Sequence, residues 1–241
     1  MKILVTGSGG FLGFHLLKLF EKKQKKNQLF TIYNKNKPTG LKKTTKLIKA
    51  NLTEINLTDH YDLVIHCASK TPVNAKIDKI LYDDNVNSLK QILQKISFDN
   101  FVFMSSVSVH GKHNGLNLDE KSKFNANDYY GKSKIKCEQL LEKFSNKKKK
   151  NVLVLRLPAA VGIKSHSNFI SNLMNVYKQN KANLVTIYNK EDLFNNTIHA
   201  EEIYNFIELM INKKNKILYN VFLLGAKDPI KLKNLILIYE N

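Results

Sequence analysis

The chain begins with an apolar strand, Lys2 to Val5, passes through the glycine-rich stretch VTGSGGFLG (Val5 to Gly13), and opens a helical pattern near Phe11. Strand, tight turn and helix in that order start a βαβ unit, which commits the following chain to parallel strands joined by helical crossovers. The glycines have separate expected roles. Gly7 permits the tight turn, Gly10 lets backbone amides approach a phosphate, and Gly13 lets the helix pack closely on the strand it has just left. A helix N-terminus with unsatisfied amides and a positive dipole end then makes a pyrophosphate the expected ligand, with Gly9, Phe11 and Leu12 beside it.

The rest of the chain keeps the alternation. Strand patterns fall at 2–6, 29–33, 46–50, 62–66, 100–105, 151–156 and 217–222, and helical patterns at 11–25, 83–97, 128–145, 167–180 and 200–212. FVFMSS and VLVLRL are continuously apolar or β-branched, as strands buried on both faces should be. This predicts an α/β fold with a doubly wound, Rossmann-type parallel sheet. Residues 1–162 are read as the dinucleotide-binding domain with the catalytic residues. Residues 163–241 are a mixed region, in which 163–199 break the rhythm as part of a small substrate lobe before the last Rossmann elements return.

A second stretch, YYGKSK at Tyr129 to Lys134, adds chemistry. Tyr130 and Lys134 are four apart and share a helix face, so an ammonium lies near a phenol. A free phenol titrates near ~10, and a neighbouring cation favours the phenolate. Upstream, FVFMSSVSVHG offers the Ser106 hydroxyl at the C-terminal end of a strand, where open α/β sheets bind their ligands. Ser106, Tyr130 and Lys134 are therefore the expected catalytic set for hydride transfer beside a nicotinamide.

Composition excludes other classes. The net charge of +19 invites a nucleic-acid reading, but Arg156 is the only arginine, and base and phosphate readers depend on arginine forks. The lysine runs Lys22 to Lys26 and Lys147 to Lys150 fall at expected helix C-termini, where cations complement the dipole. No specific nucleic acid is expected. Cys67 and Cys137 lack metal-ligand spacing, so no metal or disulfide is expected, and no apolar run approaches the ~20 residues of a membrane span. A cytoplasmic protein is the expectation.

Taken together in order, these motifs resemble the extended short-chain dehydrogenase/reductase family of NAD(P)-dependent sugar-nucleotide epimerases, dehydratases and reductases. TGSGGFLG matches the family's TGxxGxxG turn. VIHCAS resembles VxHxAA, DDNVNSLKQIL resembles NVxGTxxLL, and SSVSVHG resembles SSxxVYG. YGKSK resembles YxxSK, LRLPAAVG resembles RPxNVYG, NNTIHAEEI resembles RDFVHVDD, and LYNVFLLGAKDPIKLKNL resembles the late YNVGxGxPISLxEL segment. The resemblance implies cofactor contacts from Leu52, Cys67, Ala68, Ser69, Asn85 and Leu157 besides the glycine turn, Tyr130 and Lys134. It implies substrate contacts from Ser69, Ser108, His110 and Ala159. It also implies a homodimer, and a C-terminal substrate lobe shorter than the family's usual one.

Departures from the family pattern refine these expectations. Asn34 stands where NAD-using relatives place an acidic residue on the ribose, with Lys35 and Lys37 beside it, so NADP(H) is expected to be preferred and NAD(H) possible. Asn51 replaces an aspartate near the adenine. His110 replaces a tyrosine and either meets substrate or is a structural histidine. Ala159 and Asn195 replace an asparagine and an arginine, leaving Lys164 and Lys181 as candidates for a diphosphate. The expected activity is NADPH-dependent reduction of a keto group on a nucleotide-activated sugar or deoxysugar of surface polysaccharide synthesis. The alternatives are an NAD-dependent nucleotide-sugar 4-epimerase and, from another class, a non-catalytic dinucleotide-binding sensor or scaffold.

Overall fold

The computed structural model describes residues 1–23, 26–72, 75–112, 117–163, 165, 168–179, 189–213 and 218–235. Seven parallel strands form its main sheet: β1 (Lys2–Thr6), β2 (Gln28–Tyr33), β3 (Lys46–Lys49), β4 (His60–His66), β5 (Ser97–Ser106), β6 (Asn151–Leu157) and β10 (Tyr219–Leu223), in the spatial order β10-β6-β5-β4-β1-β2-β3. Helices α1 (Phe11–Lys23) and α5 (Ala200–Asn212) pack together on one face, and α2 (Lys79–Lys95) and α3 (Tyr129–Lys148) on the other. This is the expected doubly wound Rossmann-type architecture.

Two-residue periodicity divides the core. Ile3, Val5, Leu63, Ile65, Val102, Met104, Leu153 and Leu155 pack in the cluster with α1 and α5, while Leu4, Val64, Phe101, Phe103, Val152 and Val154 pack in the cluster with α2 and α3. Each central strand is apolar on both sides because a helix layer covers both. The chain passes from β3 at the sheet edge to β4 on the far side of β1, so the strand order reverses between β1 and β4. A crevice at such a switch point is where open sheets bind ligands.

Several boundaries differ from the sequence expectation. α2 starts at Lys79, four residues earlier, because the Asp78 carboxylate accepts the Leu81 N–H and caps it. β5 begins at Ser97 because β4 extends back to His60 and supplies a partner down to the His60–Ser97 pair. The irregular region contains α4 (Phe169–Lys178), whose N-terminus Asn168 and Ser171 close with a capping box. Its strands β8 (Leu193–Phe194) and β9 (Thr197–His199) form two small sheets with strands outside it, antiparallel with β11 (Ile230–Lys231) and parallel with β7 (Ala159–Val161) respectively. Strands of two or three residues leave almost no periodicity to read. Among the described residues, no helix is long and apolar enough to cross a membrane.

Candidate active site

A cavity of about 770 Å³ opens at the C-terminal ends of the strands, over the β1–β4 switch. Gly7 has φ +77°, and a Cβ there would lie 2.6 Å from the Ala68 nitrogen. A Cβ at Gly13 would meet the Gly7 carbonyl oxygen at 2.5 Å. Side chains at either position would unfold the turn or force β1 and β4 apart. Gly9, Gly10, Phe11, Leu12 and Gly13 line the cavity at the start of α1, where the helix dipole favours an anion.

The end of β2 supplies Tyr33, Asn34, Lys35 and Asn36. No carboxylate lies among the described lining residues, whereas Lys35, Lys70 and Lys134 do. Lys70 is ion-paired with Asp84 of α2. Lys134 donates to a backbone carbonyl, and Lys35 has no ion pair among the described residues. The field inside the cavity is therefore cationic, which suits phosphate-rich ligands.

Ser106 ends β5 and caps a single 3₁₀ turn, Val107–His110, with its Oγ accepting the Ser108 N–H at 3.1 Å. That hydroxyl donates in turn to Ser108 Oγ at 3.0 Å. α3 starts beside this turn, capped by Asp128, whose carboxylate accepts the Gly131 N–H at 2.7 Å. Gly131 allows the approach, since a Cβ there would meet the Ser108 carbonyl oxygen at 2.6 Å. Tyr130, Ser106 and Ser108 consequently share one wall of the cavity. Lys134 is buried, donates from Nζ to the Met104 carbonyl at 2.9 Å, and lies 5.6 Å from the centroid of the Tyr130 ring.

Beneath the floor, Thr6 Oγ1 and His66 Nδ1 share a hydrogen bond of 2.7 Å, and the Ala68 N–H donates to the same Thr6 oxygen at 3.3 Å. Burial, reinforced by the Lys134 charge, holds His66 down at about 3, so it is neutral and stacks on Phe103. Cys67 lines the cavity, and burial pushes its thiol up to about 12, which keeps it an unreactive thiol.

Leu52, Ala68, Ser69, Leu157 and Ala159 line the cavity as expected from sequence, but three residues do not. Asn51 is exposed and accepts the Thr53 N–H within its own turn. Asn85 acts from behind: Oδ1 accepts the Lys70 N–H, while Nδ2 donates to the Lys70 carbonyl and to Ser133 Oγ. Ser133 Oγ donates to the Tyr130 carbonyl, so Asn85 joins the post-β4 loop to the start of α3. His110 is fully buried, with Nδ1 donating to the Lys123 carbonyl and Nε2 facing Arg156, so it is corrected from substrate contact to structural histidine.

Lys37 is exposed and outside the cavity lining, as is Asn195, whose carbonyl accepts the Thr197 and Ala226 N–H groups. Lys164 and Lys181 lie outside the described residues. Lys70, Thr71, Pro72 and Asn168 also line the cavity, though no sequence signal marked them. They reach it from loops whose path only the fold determines.

Comparison with known proteins accords with this geometry. The family model described as NAD dependent epimerase/dehydratase family matches residues 3–225. The UDP-glucose 4-epimerase of Vibrio cholerae is 28% identical, with 86% of this chain and 70% of that protein covered. The dTDP-D-glucose 4,6-dehydratase of Dictyostelium discoideum is 25% identical, with 95% of this chain and 59% of that protein covered. Against two of its curated relatives the chain spans 50% and 59% of their length. The crystal structure of UDP-glucuronic acid 4-epimerase from Bacillus cereus in complex with NAD superposes with a TM-score of 0.82 at 20% identity, covering 100% of this chain and 82% of that one. At that identity the likeness is one of fold. With the family model spanning nearly the whole chain, this protein belongs to the NAD-dependent epimerase/dehydratase family.

Proposed function

We propose that this protein is a nucleotide-sugar 4-epimerase that works through a nicotinamide dinucleotide. The observation that carries the reading is one cavity lined by Ser106, Tyr130 and Lys134 together with the glycine turn that leads into α1. The names of relatives, several of them UDP-glucose 4-epimerases, favour epimerisation over the net reduction expected from sequence. In this reading residues 1–162 hold the cofactor and reacting groups, and 163–241 add a small substrate lobe together with the last Rossmann elements, α5 and β10.

When bound, the nicotinamide supplies reversible hydride acceptance at a sugar carbinol carbon. The chain's own groups handle the proton. Tyr130 takes it from the sugar hydroxyl as the carbonyl forms and returns it when the alkoxide reappears. The Lys134 ammonium, 5.6 Å from the centroid of the Tyr130 ring, puts a positive charge beside the phenol that exchanges this proton. Ser106 can redirect its hydroxyl from Ser108 to the same substrate oxygen, holding it in place during both half-reactions.

A second reading, an NADPH-dependent keto-sugar reductase, is favoured by Asn34 and Lys35 at the end of β2 with no carboxylate beside them. One experiment separates the two. Incubated with UDP-glucose and catalytic NAD, the epimerase forms UDP-galactose with no net change in reduced-nicotinamide absorbance. Consumption of one NADPH per product from a nucleotide-linked 4-keto sugar, with no epimerisation of UDP-glucose, assigns the reductase instead.

A further inference from the structure

Behind the cavity wall lies a buried network whose two charged members, Glu138 and Arg156, are not among the lining residues, while Ser105, which joins it, is. Glu138 is 2% exposed and Arg156 4% exposed. The Arg156 Nε donates to both Glu138 carboxylate oxygens at 3.2 Å, and Nη2 donates to Oε2 at 2.8 Å. Nη1 donates to the Glu120 carbonyl at 3.0 Å and faces His110 Nε2 at 3.5 Å. The Phe124 ring lies 4.9 Å from the guanidinium carbon. Glu138 Oε1 also accepts the Ser105 hydroxyl, and the Tyr219 hydroxyl donates to the Glu138 carbonyl at 3.3 Å.

The placement of this network is informative. Tyr130, Lys134 and Glu138 are spaced four apart and lie in one stripe of α3. Three consecutive residues of β5 serve that stripe and the cavity in turn. The Met104 carbonyl holds Lys134, the Ser105 hydroxyl holds Glu138, and Ser106 faces the cavity. Across the β5–β6 ladder Ser105 is the register partner of Arg156. In a chain whose 39 basic residues include a single arginine, that arginine occupies the one position where a planar fork of donors spans a carboxylate, a carbonyl and an imidazole. Lysine has neither the plane nor enough donors to do so.

We propose that Arg156 and Glu138 are positioning residues, which set the axial register of α3 against the end of β5 and so place Lys134 and Tyr130 opposite Ser106. Stability alone is a weak reason for such a pair. Burying two charges costs about as much as their attraction returns, and well-packed apolar replacements are often neutral or stabilising. A hydrogen-bonded fork does restrict the sliding of one element past another, and a misplacement of about 1 Å at reacting groups costs ~100-fold in rate.

The inference rests on the reading of Tyr130 as the proton-exchanging group, so Tyr130→Phe is measured alongside. The main test is the double variant Glu138→Leu with Arg156→Met. Its melting temperature is expected to equal or exceed the parent's, and cofactor affinity by titration to stay within about twofold, whereas kcat falls by roughly ten- to a hundredfold. The loss should fall on kcat while KM for the nucleotide sugar stays within about twofold, because the reacting groups are misplaced and the lining surface is unchanged. Parent-like kcat in a folded double variant would overturn the proposal. Should the double variant not fold, Ser105→Ala keeps the ion pair and removes one link to β5. A several-fold loss of kcat with KM and melting unchanged supports the proposal, and unchanged kcat overturns it. Near-normal turnover of Tyr130→Phe defeats the base assignment, and this inference with it. Loss in Tyr130→Phe without loss in the double variant defeats only the positioning role.

Discussion

Tyr130 and Asn34 carry the most separable expectations at the scale of single residues. Tyr130→Phe removes the exchangeable proton but none of the cavity's lining surface. Turnover should fall by about two to four orders of magnitude while cofactor affinity stays nearly constant, measured by steady-state kinetics and calorimetry. Asn34 and Lys35 also line the cavity, whose described lining holds no carboxylate to repel a 2′-phosphate. NADPH should therefore bind more tightly than NADH, with the gap narrowing at high salt because an exposed lysine–phosphate attraction is screened. Lys35→Ala should narrow the gap further, and Asn34→Asp should reverse it. Equal affinities at low salt would remove these residues from cofactor choice. Lys37, which invited the same expectation from its place in the sequence, is exposed outside the cavity and should have little influence.

At the scale of elements, the start of α3 sets how closely the Tyr130 helix approaches the 3₁₀ turn after Ser106. Replacing glycine by alanine inside a helix ordinarily stabilises by up to ~1 kcal/mol. At Gly131 the added Cβ would lie 2.6 Å from the Ser108 backbone oxygen, a contact that cannot relax by a rotamer change. The clash should win, wedging the helix away from the 3₁₀ turn. Gly131→Ala is expected to lower kcat more than cofactor affinity and to lower the melting temperature, whereas a rise in melting temperature with full activity would refute the close-contact argument. This glycine stood within YYGKSK, yet its spacing to Tyr130 and Lys134 carried no sign of what it faces. The helix itself was legible because its apolar positions and the Tyr130–Lys134 spacing repeat locally. Its contact with Ser108 is made between segments more than twenty residues apart.

At the scale of the whole molecule, acid sensitivity follows from the floor of the cavity. His66 is held near 3 when folded, against about 6.5 in an unfolded chain. Between those values the unfolded state binds a proton that the folded state refuses, so stability present above about 6.5 is lost as the pH falls toward 3. The slope is about 1.4 kcal/mol per pH unit from this group alone. Denaturant titrations near pH ~7 and ~5 should show the loss, and His66→Asn, which keeps a hydrogen-bonding amide toward Thr6, should flatten it. An unchanged slope in that variant would place the acid sensitivity elsewhere.

The amino-acid order by itself determined the alternation of strands and helices, the glycine turn against β1, and the pairing of Tyr130 with Lys134. Each depends on a period of two or of about four residues, or on the backbone freedom of a glycine, and these properties belong to short stretches of chain. Only the tertiary structure decided that His110 is buried against Arg156 and that Asn85 works through Ser133. It also decided that Glu138 and Ser105 meet. Those outcomes depend on which groups lose water together, and partners 33, 46 and 48 residues apart are brought into contact by the sheet order and the helix layers. Burial then assigns each polar group a partner that no local pattern specifies.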